Sequence, residues 1–330
     1  MKNVLITGGL GFIGSHLVDY LDQLNLNIVI VDNKTTNVVE NQTFKNKCLI
    51  VNKSIKDVDF SKLSQIDTVF HLASILGPSG VLKHAGDIGF SILNDSIILR
   101  DFCIQNKALF IDMSTSEVYG HPGILNEDSQ KVFPGQYQIR TEYGGGKMIA
   151  EMAVVNKSKF EKNLKFHIIR PFNVTGPRQK PDGGFVLPRF VIAALTNQPL
   201  TVFGDGTQRR AFTHVNDICE ATLKIASSKF RNEIWNVGNP PNEMSINEIA
   251  DLVIKLAKNK FSNLKPKKIL IDPKKIHGKY FAEAIDKIPY TKKINTKLHW
   301  FACRNAEKII NDTLDYYHQK IGQGYYFKVL

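Results

Sequence analysis

Cysteine is scarce in this chain, and what there is of it is scattered. Cys48, Cys103, Cys219 and Cys303 are the only four, and none forms a Cys-x-x-Cys pair. That spacing excludes a disulfide framework and the common zinc patterns, so the four read as free thiols of a reducing compartment, with no metal expected. Long apolar runs are missing too: none approaches the roughly 20 residues of a membrane span. No charged-then-apolar leader precedes the first strand-like run, so no signal peptide is expected, and the reading is a cytoplasmic protein without membrane partners. Acidic residues are the under-represented charge, 31 against 43 Lys and Arg, for a formal net charge of +12. Such a balance can mark a nucleic-acid binder. The lysines are nevertheless spread along the whole chain, with no basic helix and no aromatic-interleaved stripe, so no nucleic acid is expected. Attraction of a small anionic substrate fits the charge equally well. Internal repeats, low-complexity tracts and linkers are also absent.

What is present is ordinary in amount and specific in order. Hydrophobic residues make up 43% and charged residues 22%, as in an ordinary folded domain. A chain of 330 residues exceeds the size at which a single core stops growing, about 250–300 residues, which predicts two lobes. The most informative stretch is Val4-Leu5-Ile6-Thr7-Gly8-Gly9-Leu10-Gly11-Phe12-Ile13-Gly14. Val4 to Ile6 reads as a buried strand, and Leu17, Val18 and Leu21 follow at helical spacing. Gly8, Gly11 and Gly14 between them allow a tight turn, close approach of backbone to a pyrophosphate, and close helix–strand packing. The helix N-terminus then presents open N–H groups and a positive dipole end to the anion. The strand–turn–helix context is what this motif requires, so a dinucleotide site is expected here. A second strand, Asn27–Val31, runs into Asp32, eighteen residues beyond Gly14. A carboxylate there accepts from the adenosine ribose hydroxyls and repels a 2′-phosphate, favouring NAD over NADP, with Lys34 as the one nearby counter-argument.

Apolar strands and helical patterns then alternate. Strands are read at 48–51, 68–73, 109–114 and 166–170, with helices at 88–106 and 143–160. The alternation predicts a doubly wound parallel α/β sheet over residues 1–175. Pro177, Pro181, Gly183, Gly184 and Pro188 open a smaller α/β lobe over 176–330, from which a strand at 233–237 returns to the sheet. Ser245 and Glu248 form a capping box ahead of a helix at 245–258.

Tyr143 and Lys147 stand four apart, hence on one face if the segment is helical. A cation near a phenol lowers its pKa and lets tyrosinate act as a base near neutrality. Ser114-Thr115-Ser116, just past a strand's C-terminal end, supplies hydroxyl donors where open α/β sheets bind ligands. The intervening Gly144, Gly145 and Gly146 cost roughly 1 kcal/mol each against Ala in a helix. They leave three readings open: room for a bulky ligand, a close neighbour, or a deviating helix start. A phosphate loop is excluded, because Met148 follows Lys147 where Ser or Thr is needed.

Taken in order, these motifs resemble the extended short-chain dehydrogenase/reductases, the NAD-dependent nucleotide-sugar epimerases, dehydratases and decarboxylases. The resemblance rests on the glycine stretch, Asp32-Asn33, His71-Leu72-Ala73-Ser74, Ser114–Gly120, Tyr143…Lys147, Arg170-Pro171-Phe172-Asn173…Gly176-Pro177-Arg178, Gly204–Arg210 and Asn236–Asn239. It spans essentially the whole chain and implies a Rossmann-type NAD-binding lobe with a nucleotide-sugar-binding lobe behind it. It further implies NAD held by Gly8, Gly11, Phe12, Ile13, Gly14, Asp32, Asn33, Leu72, Ala73, Ser74, Tyr143 and Lys147. Tyr143 would be the base at a sugar hydroxyl, Lys147 the holder of the nicotinamide ribose, and Thr115 a hydrogen-bond partner of the same sugar oxygen. Asn173 and Arg210 would grip the diphosphate, with Lys287 where an arginine often stands, and Arg178 would be a further substrate contact. Phe203 would line the nucleobase pocket or else fill the core. The family also implies a homodimer through the helices near 90–106 and 143–160.

Departures decide among the reactions. Ser116-Glu117 is the decarboxylase pairing, yet Phe185 stands where those enzymes carry the arginine that meets a 6-carboxylate. Ser116 also replaces the acid that 4,6-dehydratases use, leaving Glu117 as candidate base or hydroxyl acceptor. Ser54 stands where an adenine-contacting Asp is usual. By elimination the expectation is 4-epimerisation of a UDP-sugar, with decarboxylase or dehydratase as the alternative. A non-catalytic NAD-binding sensor is the rival from another class, and an NADP-dependent carbonyl reductase is disfavoured by Asp32 and Arg210.

Overall fold

The apolar runs of the first half become the strands of one parallel sheet. The computed structural model describes residues 1–38, 48–63, 65–75, 77–272, 274–277 and 286–327. In chain order its first half holds β1 (Asn3–Thr7), α1 (Phe12–Asp22), β2 (Asn27–Val31), β3 (Leu49–Val51), β4 (Thr68–His71), α2 (Gly77–Lys83), α3 (Ile88–Asn106), β5 (Leu109–Met113), β6 (Gly123–Leu125), α4 (Ile139–Phe160) and β7 (Lys165–Pro171). Then come β8 (Val174–Thr175), α5 (Val186–Leu195), β9 (Leu200–Phe203), β10 (Arg209–Ala211), β11 (Thr213–His214), α6 (Val215–Ala226) and β12 (Glu233–Val237). The chain ends with β13 (Glu243–Ser245), α7 (Ile246–Lys260), β14 (Lys268–Ile271), α8 (Lys274–His277), β15 (Lys287–Pro289), α9 (Lys292–Leu298) and α10 (Ala306–Gly322).

Seven strands pair in the order β12-β7-β5-β4-β1-β2-β3, every pair parallel. Both faces are therefore covered by helices, and successive residues of a strand enter different cores. Val4 and Ile6 pack with α1, α6 and Trp235, while Leu5, Val69 and Phe110 pack toward α3 and α4. The strand order reverses at β1 and β4, so the turns after Thr7 and His71 lie side by side at the switch point where such sheets bind ligands.

A separate core holds α5, α7, α10 and β9 through residues such as Leu187, Val191, Ile249, Val253 and Leu314. A small sheet, β13-β10-β15-β6, joins the turn after β5 to the second half of the chain. This sheet brings residues more than a hundred positions apart into one place. Helix α4 starts at Ile139, ahead of the expected Tyr143, because Gln138 and Thr141 cap it reciprocally and carry the helix through the glycines. The Ser245–Glu248 capping box forms with both of its bonds, 2.6 and 3.1 Å. Among the described residues no helix is long and apolar enough to cross a membrane.

Candidate active site

Sterics build the glycine turn. Gly8 has φ +72°, and a Cβ on it would lie 2.7 Å from the Ala73 amide nitrogen. A Cβ on Gly14 would lie 2.0 Å from the Gly8 carbonyl oxygen, so no larger residue fits the crossing of α1 over the turn. Gly11 precedes α1 with no side-chain cap, which leaves the first amides of Phe12, Ile13 and Gly14 at an open helix N-terminus. Asp32 ties this turn down: its carboxylate accepts from the Leu10 amide at 2.9 Å and from the Lys34 amide at 2.7 Å. Asn33 is exposed and donates to Ser54 at 3.4 Å. Leu72, Ala73 and Ser74 are half-buried, with the Leu72 amide on the Thr7 carbonyl at 3.0 Å. A cradle that side chains would fill, an uncapped helix end and a carboxylate at the end of β2 together fit a dinucleotide.

The second group gathers where β5, the following turn and α4 meet. Thr115 caps the short helical turn Ser116–Tyr119, accepting from the Glu117 amide at 3.2 Å, and Ser116 is buried beneath it. Burial holds the Tyr143 phenol above its ordinary range, and the Glu117 and Asp112 carboxylates push the same way. A hydrogen bond with Thr115 and the Arg140 guanidinium oppose them. Lys147, one helical turn on, donates to the Met113 carbonyl at 2.8 Å. Burial disfavours its charge, while Asp112, Glu151 and Asp95 favour it. The glycines between Tyr143 and Lys147 admit close neighbours: a Cβ on Gly144 would meet the Glu117 carbonyl at 2.8 Å, and one on Gly146 would meet the Gly89 Cα of α3 at 2.7 Å.

Glu117 is clamped. Arg140 reaches it bidentately, at 3.0 and 2.8 Å, and Lys287 of β15 pairs with it at 2.7 Å. Burial alone would raise its carboxyl, but the two cations hold it far below the usual carboxylate range. Glu117 is thus an ionised acceptor and a poor proton acceptor. Lys287 lies in register with Arg210 of β10, and Arg210 is buried and bonds Asp286 at 3.2 Å. Sequence reasoning missed Arg140; its position three before Tyr143, hence on the same helix face, was the available signal.

The other expected residues are spread more widely. Asn173, at φ +41°, donates to the Ala211 carbonyl at 3.4 Å beside β10. Arg178 pairs with Asp19 of α1 at 2.6 Å, on the face of the sheet opposite α4. Phe203 is buried with the Arg189 guanidinium 4.1 Å above its ring. Phe185 packs against Gly77 and Gly183 at the entry to α5.

Comparison with known proteins is consistent with this geometry. A family model described as the NAD dependent epimerase/dehydratase family matches residues 4–238. A UDP-N-acetyl-alpha-D-glucosaminuronate decarboxylase of Bacillus cytotoxicus is 31% identical over 324 residues, 96% of this chain and 98% of that protein. The solved UDP-N-acetylglucosamine 4-epimerase of Methanobrevibacter ruminantium M1, in complex with UDP-N-acetylmuramic acid, superposes with a TM-score of 0.83 at 26% identity, over 97% of this chain and 99% of that one. The UDP-glucuronic acid 4-epimerase of Bacillus cereus, in complex with UDP-glucuronic acid and NAD, gives a TM-score of 0.79 at 28% identity, over 98% of this chain and 100% of that one.

Proposed function

Because the chain belongs to the NAD dependent epimerase/dehydratase family, with NAD as its cofactor, we propose that it inverts C4 of a UDP-sugar through a transient 4-ketone. In this reading Gly8, Gly11, Phe12, Ile13 and Gly14 bind the cofactor's pyrophosphate, Asp32 and Asn33 its adenosine, and Leu72 to Ser74 its inner wall. Bound NAD supplies the acceptor for the C4 hydride and the donor that returns it. Tyr143 takes the C4 hydroxyl proton as the ketone forms and gives it back as the hydride adds to the opposite face. Thr115 orients the same oxygen, and Lys147 keeps positive charge beside the phenol. Asn173, Arg210 and Phe203 are the proposed nucleotide contacts. Arg178, already paired with Asp19, would act from behind α1.

The observation that carries the outcome is the pairing of Glu117 with Arg140 and Lys287. An acid held ionised by two cations is unsuited to removing a C5 proton, which argues against dehydration. Phe185 stands where the family's decarboxylases carry the arginine that meets a 6-carboxylate. The second reading, decarboxylation of a UDP-uronate, is favoured by the full-length similarity to the Bacillus cytotoxicus enzyme and by the two cations set against one acid. A homodimer through α3 and α4 is part of the proposal, supported by exposed Phe90, Ile149, Met152 and Phe160 on these helices. So is a division of the chain near residue 175.

Proton NMR of the purified protein with UDP-glucose, UDP-galactose, UDP-glucuronate and their N-acetyl counterparts tests the reading. A C4 epimer is the expected product. A UDP-pentose from UDP-glucuronate would replace it with the decarboxylase, and a 4-keto-6-deoxy sugar would make Glu117 a base after all. Silence across the panel, with NAD added, would favour a sensor.

A further inference from the structure

Behind Lys147 lies a group of acids that the chemistry above does not use. Asp112 is the penultimate residue of β5, only 3% exposed, and in register with His71 on one side and Ile168 on the other. It shares the α3–α4 side of the sheet with Phe110. An acid there is costly to bury unless something offsets its charge. Its described hydrogen bond comes from the Ser96 hydroxyl of α3 at 3.3 Å. The next residue, Met113, accepts from the Lys147 ammonium through its carbonyl at 2.8 Å, so the ammonium sits at the strand end that carries the acid. Asp95, also on α3, acts on that ammonium too.

We propose that Asp112 is a positioning residue for Lys147, keeping the buried ammonium charged and seated on the Met113 carbonyl. This rests on the reading of Tyr143 and Lys147 as the reactive pair. The ionisable groups around Asp112 are Tyr143, Lys147 and Glu151 from α4 and, in register beside it, His71 from β4. Glu151 is already compensated by Arg170 at 2.5 Å. His71 is kept neutral by burial and by Lys147. Lys147 is thus the cation left for Asp112, while Asp95 is shared between Lys147 and Lys56. Burial pushes both Asp95 and Asp112 up to about 6, so their charges disappear just below neutrality.

Ionised Asp112 raises the pKa of both Lys147 and Tyr143. Asp112→Asn in the NAD-loaded protein therefore moves both limbs of the kcat/KM–pH profile toward acid, by on the order of one pH unit. Asp112→Glu moves them back. A readout independent of turnover is NMR of lysine labelled at Cε, the Lys147 signal being the one lost in Lys147→Met; its midpoint falls in Asp112→Asn. Limbs and midpoint that stay in place while only the rate drops would make Asp112 structural and overturn the proposal. If no UDP-sugar is turned over, the proposed function fails and the Lys147 midpoint still decides the role of Asp112. Should Asp112→Asn not fold, Ser96→Ala removes the bond that favours the carboxylate and moves the same midpoint the same way by less; no movement there overturns the proposal as well.

Discussion

Two glutamates, each paired with an arginine, flank the helix face that carries Tyr143 and Lys147. Glu151 continues that face one turn beyond Lys147. It takes Arg170 through bonds of 2.9 and 2.5 Å and the Ser114 hydroxyl at 2.5 Å. Arg170 goes on to the Tyr119 hydroxyl and the Glu127 carbonyl, both at 3.0 Å. The side chains of this pair are 4% and 1% exposed, its charges cancel, and its hydrogen bonds are spent on the scaffold. Glu117 makes a bidentate pair of similar length, but it is 20% exposed, Arg140 is 28% exposed, and Lys287 adds a second cation. One pair is sealed and neutral. The other is open to the site with a net positive charge, which suits an anionic ligand. The same two residue types become framework or site according to what surrounds them.

Removing one partner from each pair should separate these roles. Glu151→Gln leaves Arg170 buried and uncompensated, an expected loss of about 3–5 kcal/mol in denaturant unfolding. A loss no larger than that of an exposed pair would mean that water reaches Arg170. Tyr143→Phe should lower kcat by roughly 10²–10⁴ while leaving NAD binding and unfolding nearly unchanged. Glu117→Gln leaves buried Lys287 without its carboxylate but keeps the half-exposed Arg140 within reach of water, so the expected loss is smaller, about 1–3 kcal/mol. Its kcat/KM should nevertheless fall roughly tenfold or more, because Thr115 shares the turn and small misplacements of reacting groups are costly. The reverse split, stable activity with lost stability, would merge the two pairs into one class.

Acid titration sharpens the contrast by sign. Glu117 is held below its ordinary value of 4.5, so the stability it contributes is complete above that pH and is lost as the solution is acidified further. Asp112 is raised from 3.8 to about 6, so the folded state binds the extra proton and stability falls as pH rises through that window. Asp112→Asn should therefore be more stable than the parent at pH 8 by on the order of 1–3 kcal/mol, and no more stable at pH 4. Thermal unfolding at the two pH values reads this directly.

What the sequence made legible was local. The glycine turn, the strand–helix order, the spacing of Tyr143 and Lys147 and the Ser245 capping box all depend on neighbours within a few residues, and each forms as read. The pairings that distinguish the two glutamates lie 23 and 19 residues apart for the arginines, and the Lys287 contact depends on β15 pairing with β6. No periodicity encodes such contacts. Arg178 shows the same limit from the other side: its motif marked it as a substrate contact, and only the fold reveals its pairing with Asp19 of α1.

The glycines of α4 carry the contrast between framework and site down to single methyl groups. Gly146 faces α3, where a Cβ would come within 2.7 Å of the Gly89 Cα, a backbone atom that cannot give way. Gly146→Ala should cost about 1–3 kcal/mol through overpacking despite its better helix propensity. Gly145 faces outward, and a Cβ there would meet the Phe133 ring edge at 3.4 Å, an ordinary contact with a half-exposed side chain. Nothing then opposes the propensity gain, and Gly145→Ala should stabilise the protein by about 0.5–1 kcal/mol. Activity distinguishes what the glycine is for. If Gly145→Ala is both more stable and equally active, the position only loosens the helix. If it is more stable yet slower, the segment between Tyr143 and Lys147 must bend during the reaction, and the glycine run belongs to the site and not to the packing.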